Sequence, residues 1–188
     1  PEQALVLLAQ MRRRLLEADA ISYNAAISAC GKGRQWEYAL ILLTDMLLAD
    51  LRADVISLNA AISACERGEQ WDRSLHILRR MHQRELEATI ISYSATISAC
   101  RDAAHIARTW RYVLELMSEM GLRSLRPDVL VNNYLLSACV RGRLGGKAVR
   151  LLKAMRQELL QPDVVSYNTA IGACEATAGS ESEVTAVE

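Results

Sequence analysis

Five cysteines and three histidines are the side chains of this 188-residue chain best suited to metal ligation, disulfide exchange or nucleophilic attack. The cysteines are Cys30, Cys65, Cys100, Cys139 and Cys174, spaced by 35, 35, 39 and 35 residues. No pair is close enough in sequence for a CxxC site, and the count is odd. His76, His82 and His105 do not fall at the i, i+4 spacing that would place two imidazoles on one helical face. No glycine-rich phosphate loop, HExxH or GxSxG occurs. The sequence therefore predicts no metal site, no cofactor, no catalytic residue, no small-molecule substrate and no enzymatic activity. The regular spacing is itself the informative feature, because periods of 20–50 residues mark repeat architectures.

The ten residues ending at each cysteine read ISYNAAISAC, ISLNAAISAC, ISYSATISAC, LVNNYLLSAC and VSYNTAIGAC. A second block follows, with Trp36, Ala39, Leu40, Leu43 and Met46 answered by Trp71, Ser74, Leu75, Leu78 and Met81. Each unit closes on RAD, EAT, RPD or QPD. Full repeats run over 20–54, 55–89, 90–128 and 129–163, with a partial repeat (second helix) at 1–19 and another (first helix) at 164–174. Tyr23, Ala26, Ile27 and Cys30 follow i, i+3, i+4, i+7, which puts them on one face of a first helix. Trp36, Ala39, Leu40 and Leu43 do the same in a second. Ser22 is a plausible N-cap. The links GKGR and ERGE supply turns, and Pro127 and Pro162 are expected to stop the second helix. With no strand signal, the fold class is all-α, a right-handed α-solenoid of helix-turn-helix hairpins.

The third repeat is four residues longer, because Trp110 lies ten residues after Cys100 whereas Trp36 and Trp71 lie six after theirs. The insertion falls within RDAAHIART and predicts a longer first helix or a bulged loop. Residues 175–188 carry four Glu and no basic residue, and are expected to be disordered. Setting them aside leaves 22 basic and 18 acidic residues in the array. The zero net charge thus conceals a mildly basic array, and it argues against indiscriminate, charge-driven nucleic-acid binding. The absence of Phe and 5% aromatic content disfavour a platform of stacked rings. No apolar run is long enough to span a membrane. The chain starts in mid-unit and ends after one helix, so a piece of a longer protein is expected. Its first residues, PEQALVLLAQMRRR, read as half a hairpin rather than a targeting segment.

With its unit set at 35 residues, the pattern resembles the pentatricopeptide repeat family. The residues that carry the likeness are V/I-x-S-Y-N at the unit start, a basic residue after the Cys, Ala-Leu and Met in the second helix, and Pro-Asp at the end. The likeness covers residues 1 to about 174. The W-x-x-L-G-x-x-Y core of tetratricopeptide repeats is missing. The resemblance implies binding of single-stranded RNA, about one base per repeat. It further implies that a unit's fifth and last residues face the base: Asn24 with Asp54, Asn59 with Thr89, Ser94 with Asp128, Asn133 with Asp163, and Asn168 without a partner. The second residues, Ile21, Ile56, Ile91, Leu130 and Val165, would hold the bases between them. Lys32, Arg67, Arg101 and Arg141 would meet RNA phosphates.

The chemistry of these types agrees with the implied roles. An Asp carboxylate only accepts, so it favours the imino N–H of U or G. The longer Asn amide suits a pyrimidine, and the shorter Ser leaves room for a purine. Thr89 donates or accepts and should discriminate poorly. The implied preference is 5′-U-(C/U)-G-U-3′. The resemblance also points to mitochondria or plastids and to RNA processing, stability, editing or translation there. The competing reading is a protein-protein interaction scaffold with the same helical repeats. A peptide groove has no reason to keep the Asn/Ser-with-Asp column.

Overall fold

The computed structural model describes residues 2–14, 18–100, 106–157 and 160–185. Every regular element among them is an α-helix: α1 (Glu2–Arg13), α2 (Ala20–Lys32), α3 (Trp36–Leu48), α4 (Val55–Arg67), α5 (Trp71–Gln83), α6 (Ile90–Ala99), α7 (Ile106–Leu122), α8 (Val129–Arg141), α9 (Gly145–Gln157) and α10 (Val164–Thr185). The chain forms two compact units, Pro1–Ala99 with α1–α6 and Cys100–Glu188 with α7–α10. In the first unit α2, α4 and α6 stack in succession, and α3 and α5 each pack against the first helix of their own hairpin and of the next. In the second, α8 packs against α7, α9 and α10. No helix among the described residues is long and apolar enough to cross a membrane.

The apolar stripes meet inside each stack. Tyr23, Ala26, Ile27 and Cys30 of α2 are buried, as are Leu58, Ala61, Ile62 and Cys65 of α4. Cys30, Cys65, Cys100 and Cys139 are buried free thiols, while Cys174 is exposed. Burial pushes the Cys65 and Cys100 thiols up to about 12, far from the range of a nucleophilic thiolate. Asn132, which stands where other units have Tyr or Leu, is also buried. Its Nδ2 donates to the Asp128 carbonyl at 2.9 Å and the Pro127 carbonyl at 3.3 Å, so its polarity is satisfied locally.

Five expectations are corrected by the local geometry. The cap of α2 is Asp19, not Ser22: Asp19 Oδ1 accepts from the Ser22 N–H at 2.9 Å and the Ser22 hydroxyl at 2.8 Å. The turns are not made by glycine. Gly33, Gly68 and Gly142 have φ of −84°, −90° and −80°, and the left-handed residue is the next one: Arg34, Glu69 or Arg143. Gly68 is required by packing instead. A Cβ there would lie 2.2 Å from Cδ1 of Trp36 in the preceding repeat, and one at Gly142 would lie 3.0 Å from Trp110.

The second helices likewise stop before any proline acts. Asp50, Glu85 and Ser124 turn left-handed, and the Leu51, Leu86 and Leu125 N–H groups donate back to the Met46, Met81 and Met120 carbonyls at 2.9–3.1 Å. Two of those three stops have no proline beyond them. The insertion lengthens the second helix, not the first: α7 has 17 residues against 13 in α3 and α5, whereas α6 has 10. Any bulge at residues 101–105 lies outside the described residues.

The segment from residue 175 is not irregular as expected, because α10 continues to Thr185. The local packing explains this. Gly145 occupies the place held by tryptophan in repeats one to three, and its N–H donates to Thr177 Oγ1 at 2.9 Å. A Cβ on Gly145 would lie 2.9 Å from Thr177 Oγ1 and 3.0 Å from the Cys174 Cα, so the missing side chain lets α10 pass close by.

Candidate nucleic-acid interface

The N-terminal turns of α2, α4, α6, α8 and α10 bring the expected site residues to corresponding places. Ile21, Ile56, Ile91, Leu130 and Val165 lie in those first turns with 57–76% of their surface exposed. Aliphatic side chains this exposed, repeated at one register, form a surface that the hydrophobic cores do not use. Three residues further along each helix stand Asn24, Asn59, Ser94, Asn133 and Asn168. The first four are half-buried and Asn168 is exposed. At the helix C-termini, Lys32, Arg67 and Arg141 are exposed final residues. The second and thirteenth residues of a unit are eleven apart, about 20° from the same azimuth at ~100° per residue. Within one first helix, the aliphatic and basic residues therefore share a face. Arg101 lies outside the described residues.

Where a repeat closes on Asp, that Asp caps the next first helix. Asp54 Oδ1 accepts from the Ser57 N–H and hydroxyl at 2.8 Å each, and its own N–H donates to Ser57 Oγ at 3.3 Å. Asp128 Oδ1 accepts from the Val131 N–H at 2.8 Å. Asp163 Oδ1 accepts from the Ser166 N–H at 2.8 Å. Capping does not exhaust a carboxylate, which has two oxygens and about four acceptor positions. It fixes the carboxylate's direction. The Ser166 backbone N–H holds the Asp163 carboxyl below the usual range, and at Asp54 the N–H and hydroxyl of Ser57 outweigh a desolvation that pushes the other way. Both are ionised acceptors near neutral pH.

Two of the four expected pairs touch directly. Asn133 Nδ2 donates to the Asp163 carboxylate at 3.3 and 3.4 Å. Asn59 Nδ2 reaches Thr89 Oγ1 at 3.5 Å. Asn24 is differently placed, with Oδ1 buried and lacking a hydrogen-bond partner. Ser94 belongs to the first compact unit and Asp128 to the second, so each is described within its own unit.

One set of residues was not singled out from the sequence. Ser92 and Ser166, third in their repeats, are fully buried, and each hydroxyl donates to the asparagine of the preceding repeat: Ser92 to Asn59 Oδ1 and Ser166 to Asn133 Oδ1, both at 2.6 Å. The recurrent serine of the S-Y-N motif was the available signal. Read alone, it looked like a cap.

A family model described as a pentatricopeptide repeat domain matches residues 41–103 and 115–176, and one described as a PPR repeat matches residues 21–51. No curated protein matches. Among solved structures, the maize pentatricopeptide repeat protein PPR10 is similar at 25% identity and a TM-score of 0.67 over 98% of this chain. The same maize protein in complex with an 18-nt psaJ RNA element aligns at 20% identity and a TM-score of 0.70 over all of this chain. This chain spans only about a quarter of that protein, 26–27% of its length. The PPR domain of Arabidopsis thaliana protein-only RNase P 1, in complex with tRNA, aligns at 12% identity and a TM-score of 0.78, covering 92% of this chain and 89% of that one. Matching repeats over most of its length, stacked as helical hairpins, the chain belongs to the pentatricopeptide repeat family.

Proposed function

We propose that this chain binds single-stranded RNA, one base per repeat, and reads each base with the fifth and last residues of the repeat. The observation that carries the proposal is the Asn133–Asp163 pair. Asn133 Oδ1 is engaged by Ser166, and one amide hydrogen is directed at Asp163. One amide N–H and one carboxylate oxygen remain for a ligand. That donor beside an acceptor matches a uracil edge, which offers a carbonyl and the imino N–H, and mismatches cytosine, whose bare ring nitrogen would face the carboxylate. The Asn24 and Asp54 types repeat the pattern. Ser94 with Asp128 keeps the acceptor and shortens the donor, which suits G. Asn59 with Thr89 accepts C or U. The reading is 5′-U-(C/U)-G-U-3′, with Ile21, Ile56, Ile91, Leu130 and Val165 between bases.

Lys32, Arg67 and Arg141 would supply the phosphate contacts. The maize relative's complex with an RNA element and the plant RNase P domain's complex with tRNA support RNA as the ligand class. The role is binding rather than catalysis. Family membership further suggests transcripts of mitochondria or plastids, and processing, stability, editing or translation as the step served. Protein partners would use other surfaces, such as the exposed Tyr38, Ile41 and Leu48 of α3.

The test is anisotropy of labelled U-U-G-U and U-C-G-U RNAs, with scrambled controls, across a salt series. Three phosphate contacts give a log–log salt slope of roughly −2 for a single strand. Equal, weak binding to every sequence would defeat the base-reading proposal.

A further inference from the structure

The three asparagines that open a reading pair are each followed, at the third position of the next repeat, by a serine: Asn24 by Ser57, Asn59 by Ser92, Asn133 by Ser166. The one repeat that reads with a short residue, Ser94, is followed by Val131. We infer that Ser92 and Ser166 are specificity-determining positioning residues, whose buried hydroxyls hold the neighbouring asparagine amide with its oxygen inward and its N–H toward the base. The inference rests on the base-reading proposed above and adds a residue to it.

Ser166 is fully buried, so its hydroxyl has no water to turn to. It accepts from the Asp163 N–H at 3.2 Å and lies 2.6 Å from Asn133 Oδ1 and 2.8 Å from Asp163 Oδ1. A hydroxyl has a single proton. Asp163 Oδ1 already receives the Ser166 N–H at 2.8 Å, and the shorter approach is to Asn133. With the proton given to Asn133 Oδ1, Nδ2 must face Asp163 and the ligand. A flipped amide would set its oxygen against the Asp163 carboxylate, acceptor against acceptor.

The same latch recurs at Asn59. Ser92 accepts from the Thr89 N–H at 3.0 Å and donates to Asn59 Oδ1 at 2.6 Å. Here Thr89 tolerates either amide orientation, so the serine is the stronger determinant. At Asn24 the hydroxyl of Ser57 is turned to Asp54 at 2.8 Å instead, and Asn24 Oδ1 is left as an orphaned buried acceptor. Loss of the serine hydroxyl would leave Asn133 in that condition. Without the serine proton, nothing on that side would hold the Asn133 amide to one orientation.

The test is Ser166→Ala in the whole chain, measured as the ratio of affinities for RNAs carrying U or C at the fourth base. Ser22→Ala is the matched control. Ser22 holds the same third position, with its hydroxyl and N–H given to Asp19 at 2.8 and 2.9 Å and no reading asparagine of this chain before it. Ser166→Ala should lower the U-over-C ratio about fivefold at the fourth base alone, the equivalent of one hydrogen bond of about 1 kcal/mol. Ser166→Thr, which retains the hydroxyl, should restore it. Ser22→Ala should lower the melting temperature without changing any base preference. If Ser166→Ala does not fold, Ser92→Ala carries the test in the first unit as reduced pyrimidine-over-purine preference at the second base. Wild-type preference retained in these variants overturns the positioning role. A wild type with no preference at these bases instead overturns the base-reading on which it stands.

Discussion

Asp163→Asn isolates the base-reading chemistry from the fold. Asp163 caps α10 through Oδ1, accepting the Ser166 N–H at 2.8 Å. Asparagine caps about as well as aspartate, so the helix start should survive. What changes is the second oxygen, which becomes an amide N–H. The acceptor offered to the imino N–H of uracil is replaced by a donor, which suits the bare ring nitrogen of cytosine. A hydrogen bond to a charged group contributes about 1.5–3 kcal/mol, roughly a 12- to 150-fold change in affinity. The new donor also faces Asn133 Nδ2, which now lies 3.4 Å from the replaced oxygen, so part of the existing pair is lost. The expected result is a U-over-C ratio at the fourth base that falls by at least about tenfold, with the first three bases unaffected. The assay is competition anisotropy with single-base variants at fixed salt, beside a melting curve. An equal loss of affinity for U and C, with an unchanged melting temperature, would refute the reasoning.

Lys32→Ala or Arg67→Ala should weaken binding evenly across sequences and flatten the salt slope by about 0.7 each, read from the same titrations. Gly68→Ala should destabilise the chain by about 1–3 kcal/mol in urea melts, because the added methyl collides with Trp36, an overpacked contact. Gly146→Ala, in the first turn of α9 with nothing within 4 Å of the added methyl, should stabilise by up to about 0.5 kcal/mol, read from the same urea melts. The lowered Asp163 pKa gives a pH signature. The cap's contribution, measured as wild type against Asp163→Ala, should be fully present above the unfolded aspartate value of about 3.9. It should vanish as pH falls through the depressed folded value. A difference that persisted at the acid end would show that the carboxylate is not the group involved.

The hairpins were legible because a buried face has a helical period, and the repeat displayed that period several times over. Tyr23, Ile27 and Cys30 are buried where the spacing put them. The ends of the helices were less legible. Glycine and proline are strong turn signals, yet the left-handed residues are Arg34, Asp50, Glu69, Glu85, Ser124 and Arg143, none of them a glycine. At Gly68 and Gly142 the missing side chain makes room for a tryptophan of the preceding repeat, a contact between residues too far apart for local pattern to report. The same holds at the site. Single side chains at the right register could be named, but the serine latch joins residues 33 apart in sequence, and only packing of consecutive hairpins reveals it.

The most direct measurement of the central claim is selection from a pool of short RNAs with four adjacent randomised positions in an adenine context, using the chain as it stands. Enrichment of U, then C or U, then G, then U in the 5′ to 3′ direction is the expected result. Recovery of RNAs with no base preference at any of the four positions would contradict it.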